Sequence, residues 1–393
     1  MARVTGGGGL KTEGTDGEEL AERPDLSRAE PRPAGMKVLT VVGARPQFIK
    51  AAPVGLALRR AGHHEVLVHT GQHYDDAMAD VFFRELGIPK PDVNLEVGSG
   101  SHGFQTGHML LRLEDVLVAE KPDWVLIYGD TNSTLAGALA ASKLHIPLAH
   151  VEAGMRSYKR EMPEEVNRVL SDHVSDLLFC PTGTSVENLR KEGITGGVHL
   201  VGDVMYDALR MFLPIARQRS HVLRDLALSP RNYLLLTAHR PETVDSDERL
   251  ERLMAEIVKL ELPVVFPAHP RTRKRIEALN LFDRLPARIR MIPPVGYFDM
   301  LVLESEARVV LTDSGGVQRE AFFLSVPSVI LRGETEWPEL VESGASILAG
   351  DGFERITIDG TAPSQVSPPE IFGGGDASVK LVRCLGASAR ATS

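Results

Sequence analysis

From Met36 onward, short apolar runs rich in β-branched residues alternate with longer segments of helical periodicity. This alternation predicts parallel βαβ units, because strands covered by helices on both faces read as continuous apolar runs. The strands predicted for the first series are 38–42, 66–70, 124–128, 148–152, 177–180 and 200–202. Those predicted for the second series are 233–237, 264–268, 289–292, 309–312 and 328–331.

The two series begin alike, since LTVVGARP at 39–46 and LLLTAHRP at 234–241 each carry an apolar strand into a small-residue turn with Arg-Pro. A chain of 393 residues has room for two domains. The predicted fold class is therefore α/β, with two doubly wound, Rossmann-like domains that face each other across a cleft.

The predicted domain boundaries follow these two series. We expect an N-terminal domain over 36–205, a C-terminal domain over 206–370 and a C-terminal helix within 371–393 that packs back on the N-terminal domain. One long helix is predicted over 206–226, a linker over 357–375 and the last apolar helix over 378–385. Residues 1–35 are rich in Gly, Glu, Arg and Pro with almost no apolar content, which predicts a disordered extension.

Composition excludes several classes of protein. A formal charge of −9 without Lys/Arg clusters argues against nucleic-acid binding. No apolar run approaches the roughly eighteen residues that cross a bilayer, so a soluble protein without membrane insertion is expected. The two cysteines, Cys180 and Cys384, are too few for a disulfide framework. A reducing compartment, the cytoplasm, is therefore predicted.

Cationic and imidazole side chains follow the strands, at the edge where open α/β sheets bind ligands. In LTDSGGVQREAFF, backbone N–H groups of Ser314, Gly315 and Gly316 can converge on a phosphate, although such a loop alone is more often a simple turn. Strand-end cations favour a diphosphate there, namely Arg45, Lys50, Arg168, His239 and His269. Glu320 is a candidate acceptor for a ribose diol. Neither a nicotinamide fingerprint nor a P-loop is present.

Three acids form a second group of candidates. Asp130 ends the strand in IYGD, Glu152 ends the next one in HVEAG, and Glu164 begins a helix in MPEEVNR. Asp130 has an alternative role as a helix cap, and Glu164 as a first-turn acid that complements a helix dipole. Burial is expected to raise the pKa of Glu152 into a range useful for proton transfer. No HExxH motif or cysteine pair is present, so no metal site is predicted.

The strings GARPQFIKAAPV, TGQHYD, MPEEVNR, AHRPE and LTDSGGVQREAFF, in order between about 38 and 350, resemble the non-hydrolysing UDP-N-acetylglucosamine 2-epimerases. The resemblance implies a glycosyltransferase-B-like fold with a UDP-sugar in the interdomain cleft and UDP on the C-terminal domain. It implies reversible C2 inversion of UDP-GlcNAc to UDP-ManNAc, by elimination of UDP to a 2-acetamidoglucal and re-addition. No redox cofactor is required, and a homodimer is expected.

The family's catalytic acids correspond to Asp130, Glu152 and Glu164, and its imidazole to His239. The resemblance implies that the carboxylates handle the C2 proton and that His239 protonates or stabilises the leaving phosphate. The implied substrate-binding residues are Arg45, Lys50, Arg168, His269, Ser314, Gly315, Gly316 and Glu320. Gln72 and His73 in TGQHYD resemble a segment that contributes to a second, regulatory UDP-GlcNAc site in several relatives; the alternative is a helix-start turn.

Some strings depart from the commoner family pattern, among them GARPQFIK and TEWPE, in which Trp337 replaces Arg. These variants look more like the branch that epimerises UDP-2,3-diacetamido-2,3-dideoxyglucuronic acid, which stays an alternative substrate. An acidic sugar would need a further cation, for which Arg156 and Arg160 are candidates. A glycosyltransferase of the same fold and a non-catalytic nucleotide-sugar sensor are more distant alternatives.

Overall fold

The computed structural model describes residues 35–72, 86–356 and 367–391. The strands of the first half are β1 Lys37–Val42, β2 His64–His69, β3 Val93–Asn94, β4 Trp124–Tyr128, β5 Leu148–Val151, β6 Leu177–Cys180 and β7 Val198–Leu200. Those of the second half are β8 Leu234–Thr237, β9 Val264–Pro267, β10 Ile289–Ile292, β11 Val309–Thr312, β12 Ser328–Ile330 and β13 Ser346–Leu348.

The helices that follow the first-half strands are α1 Arg45–Arg60, α2 His102–Glu120, α3 Asn132–Lys143, α4 Pro163–Val174 and α5 Gly183–Lys191. Two helices connect the halves, α6 Val204–Arg219 and α7 Val222–Asp225. The second half contains α8 Pro241–Val244, α9 Asp247–Lys259, α10 Pro270–Ala278, α11 Tyr297–Glu306, α12 Gly315–Phe323 and α13 Pro338–Glu342. The chain ends with α14 Pro368–Phe372 and α15 Ala377–Ala391.

Each half is built around one parallel sheet. The first sheet has the strand order β3-β2-β1-β4-β5-β6-β7 and the second the order β10-β9-β8-β11-β12-β13. In each sheet the order reverses beside the first strand, since β1 pairs with β2 and β4, and β8 pairs with β9 and β11. The strands β4 and β8 are buried along their whole length, as helices on both faces require. These sheets confirm the predicted class of two doubly wound, Rossmann-like halves.

The helix α6 joins the two halves, because it packs against α1 of the first and α11 of the second. Its Phe212 is fully buried, with the ring centroids of Tyr297 and Phe298 at 6.0 and 6.2 Å. The terminal helix α15 packs on α1 and α6, and Leu381 and Leu385 belong to the same core cluster. None of the helices in the described ranges is long and apolar enough to cross a membrane.

Several element boundaries differ from the prediction. The helix expected over 206–226 is interrupted at Ser220, whose extended backbone ends α6 and whose hydroxyl donates to Asp299 Oδ1 at 2.5 Å. The strand expected over 200–202 lies at Val198–Leu200. The short edge strands β3 and β13 carry too few residues to give a periodic signal, and the sequence did not predict them.

The predicted linker over 357–375 contains α14, whose start is capped by Ser367 and Glu370. Residues 357–366 of this segment, and 1–34 of the predicted extension, lie outside the described residues. The last helix extends beyond the predicted 378–385, over Ala377–Ala391. The domain boundaries stay predictions, since α6 contacts both halves.

Candidate active site

A cleft of about 1240 Å³ opens between the carboxyl ends of the two sheets. The turns after β1, β4 and β5 line it from one side, and those after β8, β9 and β11 from the other, as expected for ligand sites in doubly wound folds. The predicted residues that line this cleft are Arg45, Lys50, Asp130, Glu152, Glu164, Arg168, His239, His269, Ser314, Gly315 and Gly316. The structure thus brings together side chains that the sequence places more than 200 positions apart.

Glu320 and Gln72 lie outside the lining of the cleft. Glu320 is buried on α12 and accepts a hydrogen bond from the Tyr297 hydroxyl at 2.9 Å. Burial raises the pKa of Glu320 above the usual value for a glutamate. Gln72 Oε1 accepts from the backbone N–H of Ser133 at 3.0 Å and from its hydroxyl at 2.7 Å. The ribose and regulatory roles stay predictions, and His73 lies outside the described residues.

Glu152 is a buried carboxylate between the two halves. Its φ of 67° is left-handed, a conformation that costs about 1–3 kcal/mol for a non-glycine residue and is concentrated at functional sites. Lys50 Nζ contacts Oε2, and Arg319 Nη1 donates to Oε1 at 2.6 Å. Burial alone would raise the pKa of Glu152, but these two cations outweigh burial and lower it. The expectation of a raised pKa was therefore wrong, because the sequence did not show the second cation.

Arg319 connects Glu152 to two further residues that the sequence did not single out for the site. Its Nη1 also donates to Asp203 Oδ2 at 2.7 Å, and its guanidinium lies 4.1 Å from the ring centroid of Trp337. Asp203 caps α6 by accepting from the backbone N–H of Met205 at 2.8 Å. The sequence contains one signal for Arg319, which is its spacing. Arg319 follows Gly315 by four residues, so in a helix it lies on the same face as Gly315, beside the Ser314–Gly316 loop.

Asp130 lies at the first-half rim of the cleft, with 35% of its side chain exposed. Arg168 Nη2 contacts its carboxylate, and Arg168 Nη1 donates to Glu165 at 2.7 Å. The cap of α3 is Thr131, so the alternative role of Asp130 as a helix cap is wrong. In MPEEVNR, Glu164 lines the cleft, whereas Glu165 is buried outside that lining.

Arg156, one candidate for an additional sugar-binding cation, does not line the cleft. It is buried and donates to Asp172 at 2.7 Å and to Glu192 at 2.7 and 2.6 Å. Asp172 also bonds His150 Nδ1 at 2.7 Å, and His150 Nε2 donates to Gly129 O at 2.7 Å. Through His150 and Gly129, this network supports the turn that carries Asp130. The charge of Arg156 is neutralised by Asp172 and Glu192, so Arg156 is not placed to bind an acidic sugar in the cleft.

The second half presents cations and a helix N-terminus. Ser314 caps α12, so the first N–H groups of that nine-residue helix point toward the cleft. The buried Asp313 accepts from the backbone N–H groups of His239 and Arg240, both at 2.9 Å, and fixes the turn after β8. The His239 ring is half exposed in the cleft. Burial, and then His239 and Arg271, lower the pKa of His269.

The chain is similar to proteins of one family over most of its length. A family model described as UDP-N-acetylglucosamine 2-epimerase matches residues 56–386. A UDP-N-acetylglucosamine 2-epimerase homolog of Methanococcus maripaludis is 51% identical, over 89% of this chain and 99% of that protein. The UDP-2,3-diacetamido-2,3-dideoxy-D-glucuronate 2-epimerase of Pseudomonas aeruginosa is 47% identical over the same shares. The Methanocaldococcus jannaschii UDP-GlcNAc 2-epimerase, solved in complex with UDP-GlcNAc and UDP, superimposes with a TM-score of 0.80 at 44% identity, over 90% of this chain and 100% of that one.

Proposed function

The chain belongs to the UDP-N-acetylglucosamine 2-epimerase family, and we propose that it is an isomerase that interconverts UDP-GlcNAc and UDP-ManNAc. The proposal rests on the different chemical groups that line the two sides of the cleft. Carboxylates of the first half, Asp130, Glu152 and Glu164, face a helix N-terminus flanked by His239 and His269 in the second. A C2 proton exchange coupled to departure of a diphosphate needs these two chemistries on opposite sides of one sugar.

The proposed reaction proceeds by elimination and re-addition. The C1–O bond breaks with its electron pair leaving on UDP, a carboxylate takes the C2 proton, and a C1=C2 double bond forms. C2–H has no neighbouring carbonyl, so it becomes acidic only as positive charge develops at C1. The Ser314–Gly316 loop and His239 stabilise the departing diphosphate. In the re-addition, a carboxyl group on the opposite side of the sugar donates a proton to C2, the electron pair of the double bond forms the new C2–H bond, and a UDP oxygen bonds to C1.

UDP-2,3-diacetamido-2,3-dideoxy-D-glucuronate is the alternative substrate, because a relative that is 47% identical over 89% of this chain is named as its 2-epimerase. A carboxylate at C6 needs a cation of its own. Arg156 is engaged by Asp172 and Glu192, and the exposed Arg160 lies outside the cleft lining. UDP-GlcNAc therefore stays the first candidate.

We also propose a homodimer, formed through an exposed apolar face on α2 and α4. Phe104, Leu111 and Val118 lie seven residues apart along α2, and all three are exposed. Val166 and Leu170 are exposed four residues apart on α4, and α3 lies between the two helices. We name this surface the α2/α4 face. Apolar side chains exposed at regular spacing along helices in this way are typical of interaction sites.

The cytoplasm is the compartment that we propose for this activity. Both cysteines of the chain lie in the described residues and are free thiols, Cys180 buried and Cys384 partly buried. Free thiols persist where glutathione and thioredoxin keep proteins reduced.

The proposal is tested by ¹H NMR of purified protein with UDP-GlcNAc, in parallel with the diacetamido uronate. We expect UDP-ManNAc signals to appear from UDP-GlcNAc without any added cofactor. Asp130→Asn, Glu152→Gln and His239→Asn should each slow the conversion about 10²- to 10⁴-fold, because each removes a proton-transfer or charge-stabilising group. Glu161→Gln is the control, since Glu161 is an exposed acid three residues before Glu164 that does not line the cleft. Conversion of neither sugar by the wild type, or wild-type rates in all three variants, would contradict the proposal.

A further inference from the structure

The carboxylate of Glu152 is held by two cations from different halves of the molecule. Lys50 of α1 contacts Oε2 and Arg319 of α12 donates to Oε1 at 2.6 Å, and both cations line the cleft. A carboxylate with a cation on each oxygen is a poor proton acceptor, because protonation would leave two buried positive charges with less compensation. One of the two cations must therefore move before Glu152 can take a proton from a substrate.

Arg319 is fixed at several points. Its Nη1 bonds Asp203, which is almost completely buried, at 2.7 Å, and its Nε donates to Gly315 O at 3.3 Å. The guanidinium also stacks on Trp337 at 4.1 Å from the ring centroid. Moving Arg319 would leave Asp203 as a buried, unpaired carboxylate, which is strongly destabilising.

Lys50 is held differently. Within the described ranges, the structure shows one hydrogen bond of its ammonium, the bond to Glu152. The lysine ammonium is a compact charge at the end of a flexible four-carbon stem. The ammonium can therefore change partner at low cost. A diphosphate offers several charged oxygens and competes well with one carboxylate for this cation.

Building on the proposed epimerase function, we propose that Arg319 is a positioning residue that keeps Glu152 tied to Asp203, while Lys50 moves from Glu152 to the diphosphate when a UDP-sugar binds. Glu152 Oε2 then becomes free to accept the C2 proton. The device couples substrate binding to activation of the acid/base group. Glu152 stays ionised and unreactive until a diphosphate occupies the cleft.

The charged groups that face Glu152 are Lys50 from α1, Arg319 from α12 and Asp203 from the start of α6. Glu320 on α12 interacts with the same two cations and with Asp203. Removal of Arg319 takes away a cation that holds the pKa of Glu152 down. The acid limb of the activity profile therefore moves to higher pH, because Glu152 must be ionised to accept the C2 proton.

The first test is a crystal structure of the wild-type protein with UDP. The expected result is Lys50 Nζ on a diphosphate oxygen, with the Arg319–Glu152 and Arg319–Asp203 bonds unchanged. Lys50 remaining on Glu152, or Arg319 leaving it, would overturn the proposal. This readout requires no turnover, so it decides the proposal even if the wild type epimerises neither sugar.

The second test compares pH profiles of kcat for Arg319→Gln and the wild type. We expect kcat to fall at least about tenfold, KM for UDP-GlcNAc to change less than about threefold, and the acid limb to rise by about one to three pH units. Arg319→Lys keeps the charge and should keep the acid limb near its wild-type position. Arg288→Gln is the control, since Arg288 donates to the carbonyls of Leu260 and Val258 and does not line the cleft.

The double variant Arg319→Gln/Asp203→Asn distinguishes the proposed positioning role of Arg319 from a merely structural role. Asparagine retains the cap of α6 and removes the carboxylate that Arg319→Gln leaves unpaired. The proposal predicts that the shifted acid limb persists in the double variant, because Glu152 still lacks its cation. Wild-type kcat and pH profile in the double variant, or an unshifted limb in Arg319→Gln, would sink the proposal while leaving the epimerase function standing.

Discussion

Glu304 on α11 is a carboxyl group without exposure to solvent, and neither of its oxygens has a hydrogen-bond partner among the described residues. Burial, and then the nearby Glu320, raise its pKa well above the usual value. The folded protein therefore holds a proton that the unfolded chain releases above pH of about 4.3. The free energy of unfolding must therefore fall as pH rises above about 4.3 toward the raised pKa of Glu304, because the folded state binds one more proton than the unfolded state.

We expect Glu304→Gln to remove this pH dependence. Relative to the wild type, this variant should gain more free energy of unfolding at pH 8 than at pH 5, because only the wild type must bind a proton in order to fold. Urea denaturation at both pH values measures the difference. Glu306→Gln, on the same helix and partly exposed beside Arg217, should show no such trend. Identical gains at pH 5 and pH 8 for Glu304→Gln would refute this prediction.

Site residues at strand ends were predictable because parallel strands place their carboxyl ends at one edge of a sheet. Asp130, Glu152 and His239 reach the cleft for that reason. The partnership of Glu152 with Arg319 could not be predicted, since it joins residues 167 positions apart and depends on how the two sheets face each other. The pKa of Glu152 was misjudged for the same reason.

Among the secondary-structure elements, α15 depends on an anchor at its first turn. Asp207 of α6 accepts hydrogen bonds from the backbone N–H groups of Ala377 and Ser378, at 3.2 and 2.8 Å, and from the Ser378 hydroxyl at 2.6 Å. These bonds satisfy N–H groups that a helix start leaves unpaired. The sequence predicted the helix by its apolar pattern but not this anchor, because the cap comes from a distant segment.

Asp207→Ala should lower the free energy of unfolding by about 2 kcal/mol, as buried donors lose a charged acceptor. Urea denaturation followed by circular dichroism gives the value. The matched control is Asp376→Ala, which removes an exposed pair with Lys380 and should cost at most about 1 kcal/mol. Equal losses in the two variants would contradict an anchoring role for Asp207.

For the whole molecule, the α2/α4 face predicts the oligomeric state. Leu111 is 67% exposed at the middle of its stripe on α2. Leu111→Glu should convert a dimer into a monomer, because a charge buried in an apolar interface is costly. Light scattering coupled to size exclusion measures the mass. Leu200→Glu is the control, because Leu200 is 59% exposed on β7, away from this face. A monomeric wild type, or a Leu111→Glu variant that remains a dimer, would disprove the interface.

We expect this cleft to exchange the C2 proton of a UDP-amino sugar while the bond to UDP breaks and reforms. Incubation of the wild-type protein with UDP-GlcNAc in D₂O, followed by NMR at C2, measures this exchange directly. Deuterium should enter C2 in both UDP-GlcNAc and UDP-ManNAc, with no added cofactor. Binding of UDP-GlcNAc without any exchange, or inversion that retains the original hydrogen at C2, would contradict it.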